Sequence, residues 1–111
     1  MPPLRVGLIG AGRWGNVYLK TLATLPDRYR LTHLCTREPR NAQHAPGPVT
    51  VTADWREVIS SCQAIIIATP PTVHAEMVAA CVAAGTPCIV EKPLCVNLDT
   101  AKRLHQQVER S

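Results

Sequence analysis

Apolar residues along the chain come in two recurring patterns, short unbroken runs and stripes at helical spacing, and the two alternate. Val6-Gly7-Leu8-Ile9 closes on Gly10, so 5–10 predicts a strand buried on both faces. From Trp14 the apolar positions are Trp14, Val17, Tyr18, Leu22 and Leu25, an amphipathic helix closed by Pro26-Asp27. Residues 30–35 are β-compatible. The stretch 38–48, with Pro39, Pro46, Gly47 and Pro48, reads as a loop with room for one poor helical turn. Residues 49–51 form a short strand, and Asp54 caps a brief helix over 55–60. Ala64-Ile65-Ile66-Ile67-Ala68 predicts a central strand covered on both sides. Thr72 is placed to cap a helix reaching Ala84, with Val73, Met77, Ala80, Cys81 and Ala84 on one stripe and Gly85 as its stop. Pro87-Cys88-Ile89-Val90 is the next buried strand. Asn97 then caps a last helix, to about Glu109, whose inner stripe is Leu98, Ala101, Leu104 and Val108.

This order of strands and helices predicts an α/β fold, a parallel sheet with helices on both faces. The 111 residues suit one domain, 1–111, with one core. Hydrophobic residues make up 46% and charged ones 18%, which excludes a disordered chain. No apolar run approaches the ~18 residues of a membrane span, and Met1-Pro2-Pro3-Leu4-Arg5 lacks the features of a signal peptide. Five cysteines (Cys35, Cys62, Cys81, Cys88, Cys95) without a C-x-x-C suit free thiols in a reducing cytoplasm and imply neither disulfides nor a metal site. The net charge of +4 is spread rather than clustered, and the four aromatics form no stacking platform, so nucleic acid is not the expected partner.

Gly10-Ala11-Gly12-Arg13-Trp14-Gly15 fits G-x-G-x-x-G after a buried strand and at the opening of a helix, the setting in which that pattern binds a dinucleotide. Gly10 permits the tight turn, Gly12 leaves the pyrophosphate unobstructed, and Gly15 lets helix and strand approach. Free N–H groups and the positive end of the helix dipole hold the anion. A purely structural glycine turn is the alternative. The sheet is thus expected to be a Rossmann-type doubly wound three-layer αβα. At the tip of the second strand, where an acidic residue marks NAD, the chain has Cys35-Thr36-Arg37. Thr36 and Arg37 suit the 2′-phosphate of NADP, since a carboxylate would repel it and a guanidinium can pair with it. The alternative is a solvated Arg37 with Glu38 on the ribose of NAD.

Two further polar motifs, Thr69-Pro70-Pro71-Thr72-Val73-His74 and Glu91-Lys92-Pro93-Leu94, end the fourth and fifth strands, at the sheet edge where ligands of open α/β sheets bind. Together the G-A-G-R-W-G, A-T-P-P-x-x-H-A-E and A-G-x-P-C-I-V-E-K-P-L segments resemble the N-terminal half of the Gfo/Idh/MocA oxidoreductases, over 4 to about 104. The resemblance implies an NAD(P)-dependent enzyme acting on a sugar, cyclitol or related hydroxyl or carbonyl compound. It further implies that Gly10, Gly12, Arg13 and Trp14 line the dinucleotide and that Thr69, Pro70 and His74 lie along its ribose and diphosphate side. Glu91 and Lys92 stand near the nicotinamide, with Lys92 assisting proton transfer. For His74 the residues alone also allow a plain bond to a neighbouring loop, and Lys92-Pro93 is a candidate cis peptide. Members of the family continue into a second domain that supplies substrate contacts and much of the interface of a homo-oligomer. This chain is therefore expected to bind cofactor without turnover. A stand-alone nucleotide-binding regulatory module, with exposed apolar positions on its last helix, is the competing expectation.

Overall fold

The short apolar runs become five parallel strands in one sheet. In a computed structural model describing residues 2–38 and 48–111, they are β1 (Leu4–Ile9), β2 (Tyr29–Cys35), β3 (Thr50–Thr52), β4 (Ala64–Ile67) and β5 (Cys88–Val90). Their order is β3-β2-β1-β4-β5. The chain builds outward from β1 to β3 and then restarts on the other side of β1, so strand order reverses between β1 and β4. The carboxyl ends of these two strands diverge there and leave a crevice. Most of the proline-rich loop expected at 38–48 lies outside the described residues.

Among the described residues, four α-helices cover the sheet: α1 (Arg13–Ala23), α2 (Trp55–Ser61), α3 (His74–Ala84) and α4 (Leu98–Arg110). Strand alternation sorts the core into two layers. On one face Leu19 and Leu22 of α1 meet Val6, Leu8, Leu31, Leu34 and Ile66. On the other, Val58 and Ile59 of α2, Met77, Val78 and Cys81 of α3 and Leu104 of α4 meet Ile9, Cys35, Ile65 and Ile67. Complete burial of Leu8, Leu19 and Leu34 contributes about 2 kcal/mol each relative to exposure. β4 is paired on both edges and its three isoleucines are buried, as its composition predicts. Gly85 ends α3 in the left-handed conformation (φ 69°), and all five cysteines are free. No helix among the described residues is long and apolar enough to cross a membrane.

Four local expectations are corrected. Helix α1 stops at Ala23, short of Leu25, because the residue before a proline is pushed out of the α region and Thr24 N–H turns to the Thr21 carbonyl. Thr72 caps nothing: Pro71–Val73 form a 3-10 turn, and α3 begins after it without a side-chain cap. β5 is an edge strand rather than a buried one, with Ile89 61% exposed. On α4, only Leu104 of the expected stripe is buried, while Leu98 (70% exposed) and Val108 (51%) face outward. That helix packs mainly on α3, where Gln107 Nε2 donates to the Ala79 carbonyl, and a neighbour helix covers a narrower strip than a sheet face does.

Candidate functional site

Strand β1 delivers the chain into the glycine loop, and the loop turns it into α1. Gly10 has φ +106°, a conformation L side chains rarely adopt, and a Cβ there would lie 2.8 Å from the Ala68 carbonyl oxygen. Gly10 N–H donates to Cys35 O, and Ala68 N–H to Ile9 O, so the tips of β2, β1 and β4 are tied together around the turn. A Cβ on Gly15 would come within 2.1 Å of Gly10 O, which is how closely the helix approaches the loop. Gly12, by contrast, has nothing within 4 Å of where its Cβ would be. It is the N-cap of α1 and has no side chain to accept from the first-turn N–H groups, and that turn contains no acidic residue. Asn16 braces the loop from within the helix: its Nδ2 donates to the carbonyls of Ala11 (3.0 Å) and Gly12 (2.9 Å). An uncapped helix start, free of negative charge and open to solvent at Gly12, fits a pyrophosphate.

Beside this start lies a cleft of about 590 Å³ between the tips of β1, β2 and β4. Gly10, Gly12, Thr36, Arg37, Thr69 and Pro70 all line it. At the β2 tip, Thr36 is buried and its hydroxyl accepts from Glu38 N–H at 3.1 Å, which folds the tip back on itself. Arg37 is exposed and has no ion-pair partner among the described residues. Burial raises the Cys35 thiol pKa beneath this tip, and the nearby Arg37 charge partly opposes it. Trp55 and Glu76 complete the wall. The Arg56 guanidinium lies 4.1 Å from the Trp55 ring centroid and pairs with Glu76 at 3.0 Å.

The β4 and β5 tips carry the remaining expected residues. Thr69 donates its hydroxyl to Met77 Sδ at 3.7 Å. Glu91 follows β5 and accepts a hydrogen bond from the Tyr18 hydroxyl of α1, and the carboxylate raises the tyrosine pKa. Lys92 is exposed, and the Lys92-Pro93 peptide is cis. Arg13 and Trp14 are both exposed on the first turn of α1, Trp14 at 55%, but neither lines the 590 Å³ cleft. Away from the site, the neighbouring Cys81 thiol lowers the Cys88 pKa to about 7.

His74, expected along the ribose and diphosphate side, is held by backbone on both sides of its ring. It is 1% exposed, with Nε2 at 2.6 Å from the Thr69 carbonyl oxygen and Nδ1 at 2.9 Å from that of Pro93. With both ring nitrogens facing backbone carbonyls, the imidazole ties two loops together. Sequence reasoning in turn missed Asn16, Tyr18, Trp55 and Glu76. A signal existed for two of them: an asparagine inside a helix competes with the backbone and calls for a reason, and Trp55 opens a helix directly after a strand tip. Nothing in sequence spacing pairs Tyr18 with Glu91.

Comparison with known proteins agrees with this geometry. Residues 4–111 match the GFO_IDH_MocA model, described as an oxidoreductase family with an NAD-binding Rossmann fold. An inositol 2-dehydrogenase of Paenarthrobacter aurescens is 35% identical over 99 residues, covering 86% of this chain and 30% of that protein. A scyllo-inositol 2-dehydrogenase (NADP(+)) of Bacillus subtilis is 23% identical over 108 residues, 96% of this chain and 30% of that one. The crystal structure of myo-inositol 2-dehydrogenase from Lactobacillus plantarum superposes with a TM-score of 0.89 at 25% identity, over 97% of this chain and 33% of that one. The chain thus spans about a third of the length of these relatives.

Proposed function

The chain belongs to the Gfo/Idh/MocA oxidoreductase family, in its NAD-binding Rossmann part, and from that membership we propose that it is the dinucleotide-binding half of an oxidoreductase acting on an inositol, sugar or related hydroxyl or carbonyl compound, with NADP preferred. The observation that carries the reading is the open, uncapped start of α1 at Gly12, beside a cleft lined by the tips of β1, β2 and β4. When bound, the nicotinamide supplies hydride chemistry. In this reading the first-turn N–H groups of α1 hold the pyrophosphate, with Gly10 and Gly12 giving it room and Arg13 and Trp14 flanking it. Thr69 and Pro70 border the ribose and diphosphate side. Thr36 shapes the β2 tip so that Arg37, exposed and without an ion pair among the described residues, meets a 2′-phosphate. Glu91 and Lys92 stand at the nicotinamide end, where the Lys92 ammonium exchanges a proton with the reacting oxygen of the substrate.

Fluorescence titration tests the cofactor assignment. NADPH is expected to bind at least about tenfold more tightly than NADH, and Arg37→Ala removes most of that difference while leaving NADH within about twofold. Equal affinities in the unaltered chain overturn the NADP preference, and failure to bind either overturns the reading as a whole. The 111 residues alone are expected to bind without turnover, since hydride transfer requires a substrate held near attack geometry. Robust NADP+ reduction with a polyol, or NADPH oxidation with a carbonyl sugar, contradicts that.

The exposed Leu98, Val108 and Ile89 favour one further reading, a nucleotide-binding module that docks on another protein through these positions. A coding sequence that continues in frame past Ser111 decides for the two-domain enzyme. A stop codon there favours the module.

A further inference from the structure

Lys92 has no hydrogen bond or ion pair of its own among the described residues, yet both of its chain neighbours are anchored. On the N-terminal side, the Glu91 carboxylate accepts from the Tyr18 hydroxyl, and Glu91 N–H donates to the Ile67 carbonyl at 3.0 Å. On the C-terminal side, the Pro93 carbonyl oxygen lies 2.9 Å from His74 Nδ1. The other ring nitrogen of His74 faces the Thr69 carbonyl oxygen at 2.6 Å, so one buried imidazole sets the spacing between the β4 tip and the Lys92 segment. Carbonyl oxygens only accept, so both contacts are hydrogen bonds together only when each ring nitrogen carries a proton.

The two anchors come from different helices. Tyr18 sits on α1, which opens on the glycine loop, and His74 begins α3, just after Thr69. Each connects an element bordering the cleft to a short exposed segment that leaves an edge strand. A lysine has four flexible methylenes and loses much rotamer entropy when it is fixed, so any reproducible placement of its ammonium starts from a fixed Cα. We propose that Tyr18 and His74 are positioning residues that hold the Lys92 backbone beside the β4 tip from both sides. The proposal rests on the reading of Lys92 as the proton-transfer residue, and the assignment of Tyr18 and His74 goes beyond that reading.

Tyr18→Phe is the primary test, because it removes one hydroxyl from a half-buried ring and spares the buried His74. Hydrogen–deuterium exchange at the Lys92 and Leu94 amides is expected to speed up about tenfold, with the amides of β1 and β4 unchanged. NADH affinity falls about fivefold, while affinity for ADP-ribose, which lacks the nicotinamide, stays within twofold. In a Lys92→Ala background the same Tyr18→Phe change costs no further NADH affinity. His74→Gln, which keeps a donor for one of the two carbonyls, is expected to give the same split where it folds. Unchanged exchange at Lys92 overturns the proposal, as does a parallel loss of NADH and ADP-ribose binding, which marks a general effect on α1. The reading beneath it fails separately: Lys92→Ala with NADH affinity unaltered removes Lys92 from the nicotinamide end, and the exchange result still decides the anchoring.

Discussion

Helices α1 and α4 have similar backbones at their first turns and opposite chemistry. In both, the N-cap carbonyl accepts the first helical bond, Asn16 N–H to Gly12 O at 3.0 Å in α1 and Ala101 N–H to Asn97 O at 3.1 Å in α4. In α4 the Asn97 side chain then accepts from Asp99 N–H (2.8 Å) and Thr100 N–H (3.2 Å), and Asp99 places a negative charge on the dipole. Helix α2 is built the same way, with Asp54 accepting from Arg56 N–H and Glu57 in its first turn. Helix α1 has Gly12 and no acid, so it forgoes a few tenths of a kcal/mol of capping and leaves its donors exposed. The two capped starts are finished within the fold. The start of α1 has no such partner for its first-turn donors, and it is the one that opens directly from the glycine loop.

The largest effect expected concerns how tightly that uncapped start is wedged into the sheet. Gly15→Ala places a Cβ 2.1 Å from the backbone oxygen of Gly10, where neither partner is a flexible side chain. The loop and α1 must separate, at a cost of about 3 kcal/mol or more and a fall in melting temperature of roughly 15 °C. A thermal melt that matches the unaltered protein would show that the loop yields easily and that close approach is not what positions α1.

Gly12→Asp converts the α1 start into a copy of the α2 start. Open space surrounds the position, so the side chain enters without a clash, caps the first turn and adds a favourable charge. Folding stability is expected to hold or to rise by a few tenths of a kcal/mol, while NADH and NADPH affinity both fall on the order of 100-fold, about 2.7 kcal/mol, through competition for the donors and repulsion of the pyrophosphate. Denaturant melts and fluorescence titrations on one sample give both numbers. Tighter folding with binding intact would break the link between the missing cap and the ligand.

The contrast also marks what a sequence exposes and what it hides. Gly10, Gly12 and Gly15, the asparagine before α4 and the aspartate before α2 are local signals, since each acts on backbone within a few residues, and so the helix starts and the glycine loop were readable. The runs of Val6 to Ile9 and Ala64 to Ala68 identified interior strands for the same reason. Failures arose where the partner was remote. Leu98 and Val108 have perfect helical spacing, but spacing cannot say how much of a helix its neighbour covers. His74 was legible as a polar residue at a strand tip. That its two nitrogens go to carbonyls of two separate loops depends on packing between β4, β5 and α3.

The smallest effect serves as the control for the comparison. Asn97→Ala removes the two bonds that finish α4, and its site is exposed, so no cavity or unpaired buried group adds to the loss. The expected cost is about 1 kcal/mol, seen as a melting temperature lower by roughly 5 °C. Affinity for NADH should remain within about twofold, because α4 borders neither the glycine loop nor the cleft between β1, β2 and β4. Capping then acts on stability alone at α4, whereas at α1 the absence of a cap acts on binding. A loss of NADH affinity in Asn97→Ala comparable to that in Gly12→Asp would mean that the two helix starts are coupled, and that the division between finished and unfinished starts does not follow the location of the site.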